Sequence, residues 1–181
     1  VTGSDQAFHP PMGAALAGFG VETRVGYSAD NLAERPDLVV IGNVCRKDHV
    51  EARAAIDGGL TYASFPATLA RHFLTDHRSF VVAGTHGKTT TSALLAFLLE
   101  RGGLDPGMLV GGIPRDFEAS FRLGHRGGPF VVEGDEYDSA FFEKTPKMWQ
   151  YRAEAAILTS IEHDHIDIYP DEASYHAAFE R

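Results

Sequence analysis

Apolar and polar positions alternate along this chain in short blocks, and the blocks switch repeatedly between strand-like and helix-like spacing. Pro10-Pro11 stand ahead of Met12 to Phe19, where apolar residues recur at helical spacing until Gly20. Val21 to Val25 then reads as a short strand. Asp37 to Gly42, behind Pro36, is an apolar run of the buried-strand type. His49 to Ile56 predicts a helix closed by Gly58-Gly59, and Leu60 to Ala63 a strand. Ser64 is placed to cap a helix over Ala67 to Leu74. After the polar break Thr75-Asp76-His77-Arg78, Ser79 to Ala83 is again a buried strand. Thr89 to Arg101 is a long helix with an Ala/Leu face, stopped by Gly102-Gly103. Met108 to Val110, Pro129 to Glu133 and Ala155 to Ser160 predict further strands. Asp171 is expected to cap a last helix that runs past Arg181.

Strand and helix alternate at short intervals, which predicts an α/β fold with a mostly parallel sheet. The 181 residues suffice for one full domain or two small ones. The polar break puts a boundary between Asp76 and His77, separating residues 1–76 from 77–181. Apolar residues at 44% and charged residues at 23% exclude a disordered or low-complexity chain. The formal charge of -9 repels nucleic acid phosphates, so an anionic ligand needs a local site built from backbone N–H groups and one or two cations. Cys45 is the sole cysteine and cannot form an internal disulfide, which predicts a reducing compartment, the cytoplasm. No apolar stretch approaches the roughly 18 residues of a membrane span, and no signal peptide opens the chain. It begins at Val1, not Met, in what reads as a strand end. The sequence is therefore expected to be part of a longer polypeptide.

Three strand ends carry candidate chemistry. In the first, Phe80-Val81-Val82-Ala83 enters Gly84-Thr85-His86-Gly87-Lys88-Thr89-Thr90, and a helix leaves it. Glycines let the backbone turn its N–H groups toward one point, and the helix N-terminus adds partial positive charge there. Lys88 can reach nucleotide phosphates and the Thr89 hydroxyl can ligate Mg²⁺. Ala83 stands where the first glycine of the usual P-loop spacing would be. The plainer alternative is a glycine turn with a surface lysine. In the second, the strand Phe130 to Glu133 delivers the carboxylates Glu133, Asp135, Glu136 and Asp138. Such a cluster can hold a hard cation bridging phosphates, or it can be a solvated acidic loop. In the third, Ile157-Leu158-Thr159-Ser160 runs into Glu162-His163-Asp164-His165 and on to Asp167. Two histidines around an aspartate admit zinc, but one cysteine and no H-E-x-x-H helix argue against it. In a parallel sheet all three ends lie on one edge, which predicts a single Mg–nucleotide site.

These three motifs, in this order, resemble the Mur ligases, which join an amino acid or peptide to a UDP-linked muramyl precursor. Gly84 to Thr91 resembles their ATP loop, Val132 to Phe141 their acidic motif, and Glu162 to Asp167 their D-H-x-D segment. Gly134 departs from the acidic motif, where Ala is commoner. The run Glu133 to Lys144 is most similar to the branch that adds the tripeptide L-Ala-γ-D-Glu-meso-diaminopimelate to UDP-N-acetylmuramate. The L-alanine-adding branch more usually has Ser-Asp where Tyr137-Asp138 stand, and lacks the continuation Phe141-Phe142-Glu143-Lys144. Val1 to Asp5 with Pro10-Pro11-Met12, and Asp37 to Asn43, are similar to the tripeptide branch's first domain. The resemblance covers essentially the whole chain.

The resemblance implies a Rossmann-like segment over 1–76 that binds UDP-muramate. It also implies an incomplete P-loop-type central ATP-binding domain over 77–181. A first strand would precede Val1, and a domain holding the incoming amine would follow Arg181, so this stretch alone is expected to be inactive. ATP and Mg²⁺ are the implied cofactors. UDP-N-acetylmuramate and a murein tripeptide are the implied substrates, in peptidoglycan recycling. Gly84, Thr85, His86, Gly87, Lys88, Thr89 and Thr90 would bind ATP. Lys88 would act on the β- and γ-phosphates, Thr89 and Glu133 would ligate Mg²⁺, and His165 would serve a second Mg²⁺ position. Lys88, Glu133 and His165 are thus the implied catalytic groups. His86 is either a phosphate or muramate contact or a turn residue. Asn43 is either a UDP contact or a turn Asn. Gly111-Gly112 line a muramate pocket or form a plain hairpin turn. Asp164 and Asp167 would orient His165. Cys45 and Trp149 read as packing. The competing classes are the L-alanine-adding ligase and a P-loop kinase or ATPase.

Overall fold

Residues 1–10, 12–163 and 168–180 are described in a computed structural model, in which the chain separates into two units, Val1–Ala63 and Ser64–Arg181. The first unit begins with β1 (Thr2–Asp5), α1 (Met12–Gly18) and β2 (Glu22–Val25). β1 and β2 pair in parallel, Thr2 opposite Glu22 and Asp5 opposite Val25, so α1 is the crossover between them. β3 (Val39–Ile41), α2 (Val50–Asp57) and β4 (Tyr62–Ser64) follow, with β3 beside β4. The His49 side chain caps α2 by accepting from Ala52 N. Glu51, buried in the first turn of α2, accepts from Ser4 Oγ, Ser28 N and Asn31 Nδ2. A buried carboxylate needs such partners, and here they tie β1 and the residues after β2 to α2.

In the second unit Ser64 caps α3 (Phe65–Leu69) through Ala67 N, and the chain continues as a π-helical turn over Ala70–Leu74. β5 (Arg78–Ala83), α4 (Lys88–Arg101), β6 (Gly107–Leu109), β7 (Phe121–Arg122) and β8 (Pro129–Gly134) come next. A hairpin of β9 (Asp138–Ala140) and β10 (Glu143–Pro146), then α5 (Lys147–Gln150), β11 (Ala155–Leu158) and α6 (Glu172–Ala177), complete it. Five strands form one sheet in the order β11-β5-β8-β6-β7, parallel except for β7.

Alternate residues of β5 and β8 enter opposite cores, as the period of a strand demands. Val81, Ala83, Phe130 and Val132 pack with Leu69, Leu74 and Tyr151 on one face. Val82, Val131 and Met108 pack with Ala96 of α4 on the other. This packing accounts for the position of the division, which falls at Ala63/Ser64 and not at Asp76/His77. Leu69 and Leu74 are buried in the second unit's core, and Thr75 to His77 is a turn, closed by His77 N donating to Leu74 O. Asp171 does cap α6 through Ser174 N, but that helix ends at Ala177 and does not run on past Arg181. The sequence pattern does not predict the short strands β7, β9 and β10.

Candidate active site

β5 and β8 run side by side in parallel, with Val82 opposite Glu133 and Ala83 opposite Gly134, so the glycine loop and the acidic run leave the sheet at the same edge. β11 flanks β5 on its other side, with Leu158 opposite Ala83, and sends Thr159 to His163 along the loop. In a parallel sheet the carboxyl edge is where ligands sit.

The loop is held by backbone exchange with that third strand end. Thr85 N donates to Ser160 O at 2.9 Å, Thr159 N to Ala83 O at 3.0 Å, and Thr159 Oγ1 to His86 O at 2.6 Å. Gly84 has φ of 123°, and a Cβ there would meet Thr159 Oγ1 and lie 2.7 Å from Ser160 O. Only glycine fits so close an approach. Gly87 takes the left-handed conformation, φ 78°, as the residue before α4. The first N–H groups of a helix have no intrahelical acceptor, and the first turn of α4 contains no acid to compete for them.

Lys88 Nζ folds back on the loop. It donates to Gly84 O at 2.6 Å, Thr85 O at 3.3 Å and Glu136 Oε2 at 3.0 Å. Thr89 Oγ1 donates to Glu133 Oε2 at 3.0 Å, and Glu133 Oε1 accepts from Gly111 N at 2.6 Å. Two oxygens 3.0 Å apart match adjacent corners of an octahedron whose centre lies about 2.0–2.1 Å from each. The pair is all oxygen and anionic on one side, so its geometry and donor chemistry fit Mg²⁺. Among the described residues no group of three or more His, Cys, Asp and Glu side chains clusters tightly enough to hold a metal unaided.

The four carboxylates of the acidic run separate into two pairs. Glu133 and Glu136 face the loop. Asp135 accepts from Lys147 Nζ at 2.8 Å, and Asp138 from Lys144 Nζ at 2.7 Å. Thr85 turns inward. Its hydroxyl lies 2.8 Å from Tyr175 Oη and accepts from Glu162 N at 2.9 Å, so the side chain is engaged inside the protein, as its N–H is by Ser160 O. His86 and Thr90 are exposed, and His86 Nε2 lies 3.9 Å from Glu162 Oε2. His165, with Asp164 and Asp167, lies outside the described residues. Asn43 belongs to the first unit, exposed in a turn closed by Cys45 N donating to Gly42 O.

Gly111-Gly112 do not make a simple hairpin turn, because β6 is followed by a long connection before β7. Gly112 borders a cleft of about 570 Å³ that also takes in Thr89, Thr90, Ile113 and Arg115. A larger hollow of about 740 Å³ lies along β11 and α5, is lined mainly by apolar side chains, and includes neither Lys88 nor Glu133. Sequence reasoning names Glu136 only as one of four clustered acids, and misses Tyr169 and Tyr175. Burial pushes the Tyr169 phenol up to about 12, with Glu136 adding to the effect, so it stays protonated and donates to Glu136 O at 2.6 Å.

A parallel sheet with a glycine loop, a helix N-terminus and paired acids at one carboxyl edge defines an α/β domain with its candidate ligand site at the carboxyl ends of the strands. The chain belongs to the Mur ligase family, residues 82–181 matching the Mur ligase middle domain. Over 171 residues it is 43% identical to the UDP-N-acetylmuramate–L-alanyl-γ-D-glutamyl-meso-2,6-diaminoheptandioate ligase of Escherichia coli, a match covering 94% of this chain and 37% of that relative. The crystal structure of UDP-N-acetylmuramate:L-alanyl-γ-D-glutamyl-meso-diaminopimelate ligase from Neisseria meningitides aligns with a TM-score of 0.93 at 40% identity, covering 99% of this chain and 58% of that one. The UDP-N-acetylmuramate–alanine ligase of Thermotoga maritima aligns with a TM-score of 0.82 at 30% identity, covering 99% of this chain and 40% of that one. The chain therefore spans well under two thirds of these relatives. Among its described residues no helix is long and apolar enough to cross a membrane.

Proposed function

We propose that this chain is the nucleotide-binding portion of an ATP-dependent ligase that joins L-Ala-γ-D-Glu-meso-diaminopimelate to UDP-N-acetylmuramate in the cytoplasm, as part of peptidoglycan recycling. The observation that carries the reading is the meeting of Lys88, Thr89 and Glu133 at the carboxyl edge of β5 and β8. In this reading the second unit holds ATP. The first unit holds the UDP-muramate, with Asn43 as a substrate contact, and in the second unit His86 is a phosphate contact. The similarity to the tripeptide-adding relatives supports the choice of amine.

The reaction has two steps. A muramate carboxylate oxygen bonds to the γ-phosphorus of ATP as the bond to the β–γ bridging oxygen breaks and ADP leaves. The peptide amine then bonds to the acyl carbon, the acyl–phosphate bond breaks, and a proton leaves the nitrogen as inorganic phosphate departs. The first step brings one anion against another. Lys88 offsets that repulsion with its ammonium, and the helix N-terminus with its N–H groups. Mg²⁺, held through Thr89 Oγ1 and Glu133, would neutralise phosphate charge. His165 keeps its proposed place at a second Mg²⁺ position on resemblance alone.

The test is phosphate release by the complete protein with ATP and Mg²⁺, with and without UDP-N-acetylmuramate, and with tripeptide, L-alanine or no amine. Release that depends on tripeptide, with the ligated product seen by mass spectrometry, is the expected result. Release that depends on L-alanine would establish the alanine-adding alternative, whose Thermotoga maritima relative is less similar to this chain, 30% identical against 40% for the Neisseria meningitides ligase. Release without any muramate would make the protein an ATPase.

A further inference from the structure

We propose that Glu136 is a positioning residue for Lys88, holding the lysine ammonium against the glycine loop in competition with nucleotide phosphate. The inference rests on the reading of Gly84 to Thr90 as a nucleotide loop.

A lysine ammonium has three N–H donors and no acceptor. Lys88 has three acceptors in reach: Gly84 O at 2.6 Å, Thr85 O at 3.3 Å and Glu136 Oε2 at 3.0 Å. For Lys88 to donate to phosphate, at least one of these bonds has to be exchanged. Thr85 O is the most distant. Glu136 is the one that carries charge.

The Glu136 side chain is fully buried, whereas 17% of the Lys88 side chain is exposed. The carboxylate cannot follow the lysine outward, because its own backbone is fixed. Tyr169 donates to Glu136 O, and Asp135 beside it is tied to Lys147. The other acids of the run have different partners, Glu133 with Thr89, Asp138 with Lys144, so none can replace Glu136 at the ammonium.

A buried negative charge beside the phosphate site has two effects. It keeps the ammonium at the loop, and it repels an approaching polyanion. Glutamine keeps the size and the acceptor but removes the charge. Neutralising Glu136 should therefore tighten nucleotide binding while loosening the lysine. Damage to the fold would do the opposite and weaken binding.

The experiment measures, by calorimetry, binding of a non-hydrolysable ATP analogue with Mg²⁺ to the complete protein and to its Glu136→Gln variant. The Gln variant is expected to bind about tenfold tighter. In ¹⁵N NMR of the parent, the Lys88 ammonium, assigned by its loss in Lys88→Arg, should exchange slowly with water and shift when the analogue is added. In Glu136→Gln it should exchange faster. A parent that binds while a folded Gln variant binds no tighter overturns this inference alone. A parent that binds no analogue overturns the nucleotide-loop reading and the inference with it. Should the Gln variant fail to fold, the parent's ammonium signal decides. Slow exchange supports the proposal, and a signal averaged with water defeats it.

Discussion

The Thr85 hydroxyl lies 2.8 Å from the phenol oxygen of Tyr175, ninety positions further along the chain, and the contact is buried on both sides. Through this pair the glycine loop is pinned to α6. Tyr175→Phe removes one hydrogen bond but leaves Thr85 its contacts with Glu162, so it should destabilise the chain by about 1 kcal/mol. Thr85→Val also strips Glu162 N of its acceptor and should be worse, about 2–3 kcal/mol. Urea denaturation of the two variants checks the order. A Val variant no worse than the Phe variant would show that the hydroxyl does not anchor the loop.

Gly84 and Gly87 both have positive φ, yet they should respond differently to alanine. At Gly87 the nearest atom to an added Cβ is Thr91 Oγ1 at 4.0 Å, so only backbone strain is introduced, about 1–2 kcal/mol. At Gly84 the added carbon meets Thr159 and lies 2.7 Å from Ser160 O and 2.9 Å from Ser160 N. Backbone cannot yield as a flexible side chain can, so Gly84→Ala should exceed about 3 kcal/mol. Equal melting temperatures for the two variants would contradict this.

Metal dependence follows from the Thr89–Glu133 pair. Chelation should weaken binding of the ATP analogue, Mg²⁺ or Mn²⁺ should restore it, and Glu133→Ala should abolish the response. Calorimetry with and without chelator measures this, together with elemental analysis of chelator-washed protein. Stoichiometric zinc, or binding indifferent to magnesium, would refute the assignment.

The cap of α6 carries a pH dependence. Hydrogen bonds from Ser174, backbone first, hold the Asp171 carboxyl below its ordinary value of 3.8. A depressed carboxylate contributes stability that is fully present above the ordinary value and is lost as pH falls through the lower, folded one. The stability gap between the parent and Asp171→Ala should therefore stay constant above pH of about 4 and narrow below it. Denaturant titrations across that range decide the matter, and a gap that widened in acid would reverse the sign argued here.

Local features were legible in the sequence because local physics sets them. Gly84 and Gly87 announce backbone turns that other residues resist, Ser64 and Asp171 announce helix starts, and the apolar runs through Val81 and Val131 announce buried strands. Resemblance to a family then placed Lys88, Thr89 and Glu133 in one site, and the parallel pairing of β5 with β8 brings them to one edge. Tertiary structure decided what depends on distant partners. Which acids of the Glu133–Asp138 run face Lys88 is set where the chain leaves the pleat after Gly134, beyond the reach of any strand period. That Thr85 points inward follows from Tyr175 arriving on α6. The unit boundary moved to Ala63/Ser64 because Leu69 and Leu74 found a core in β5 and β8. Strands as short as β7 and β9 hold too few residues for alternation to register, and their pairing partners alone make them strands.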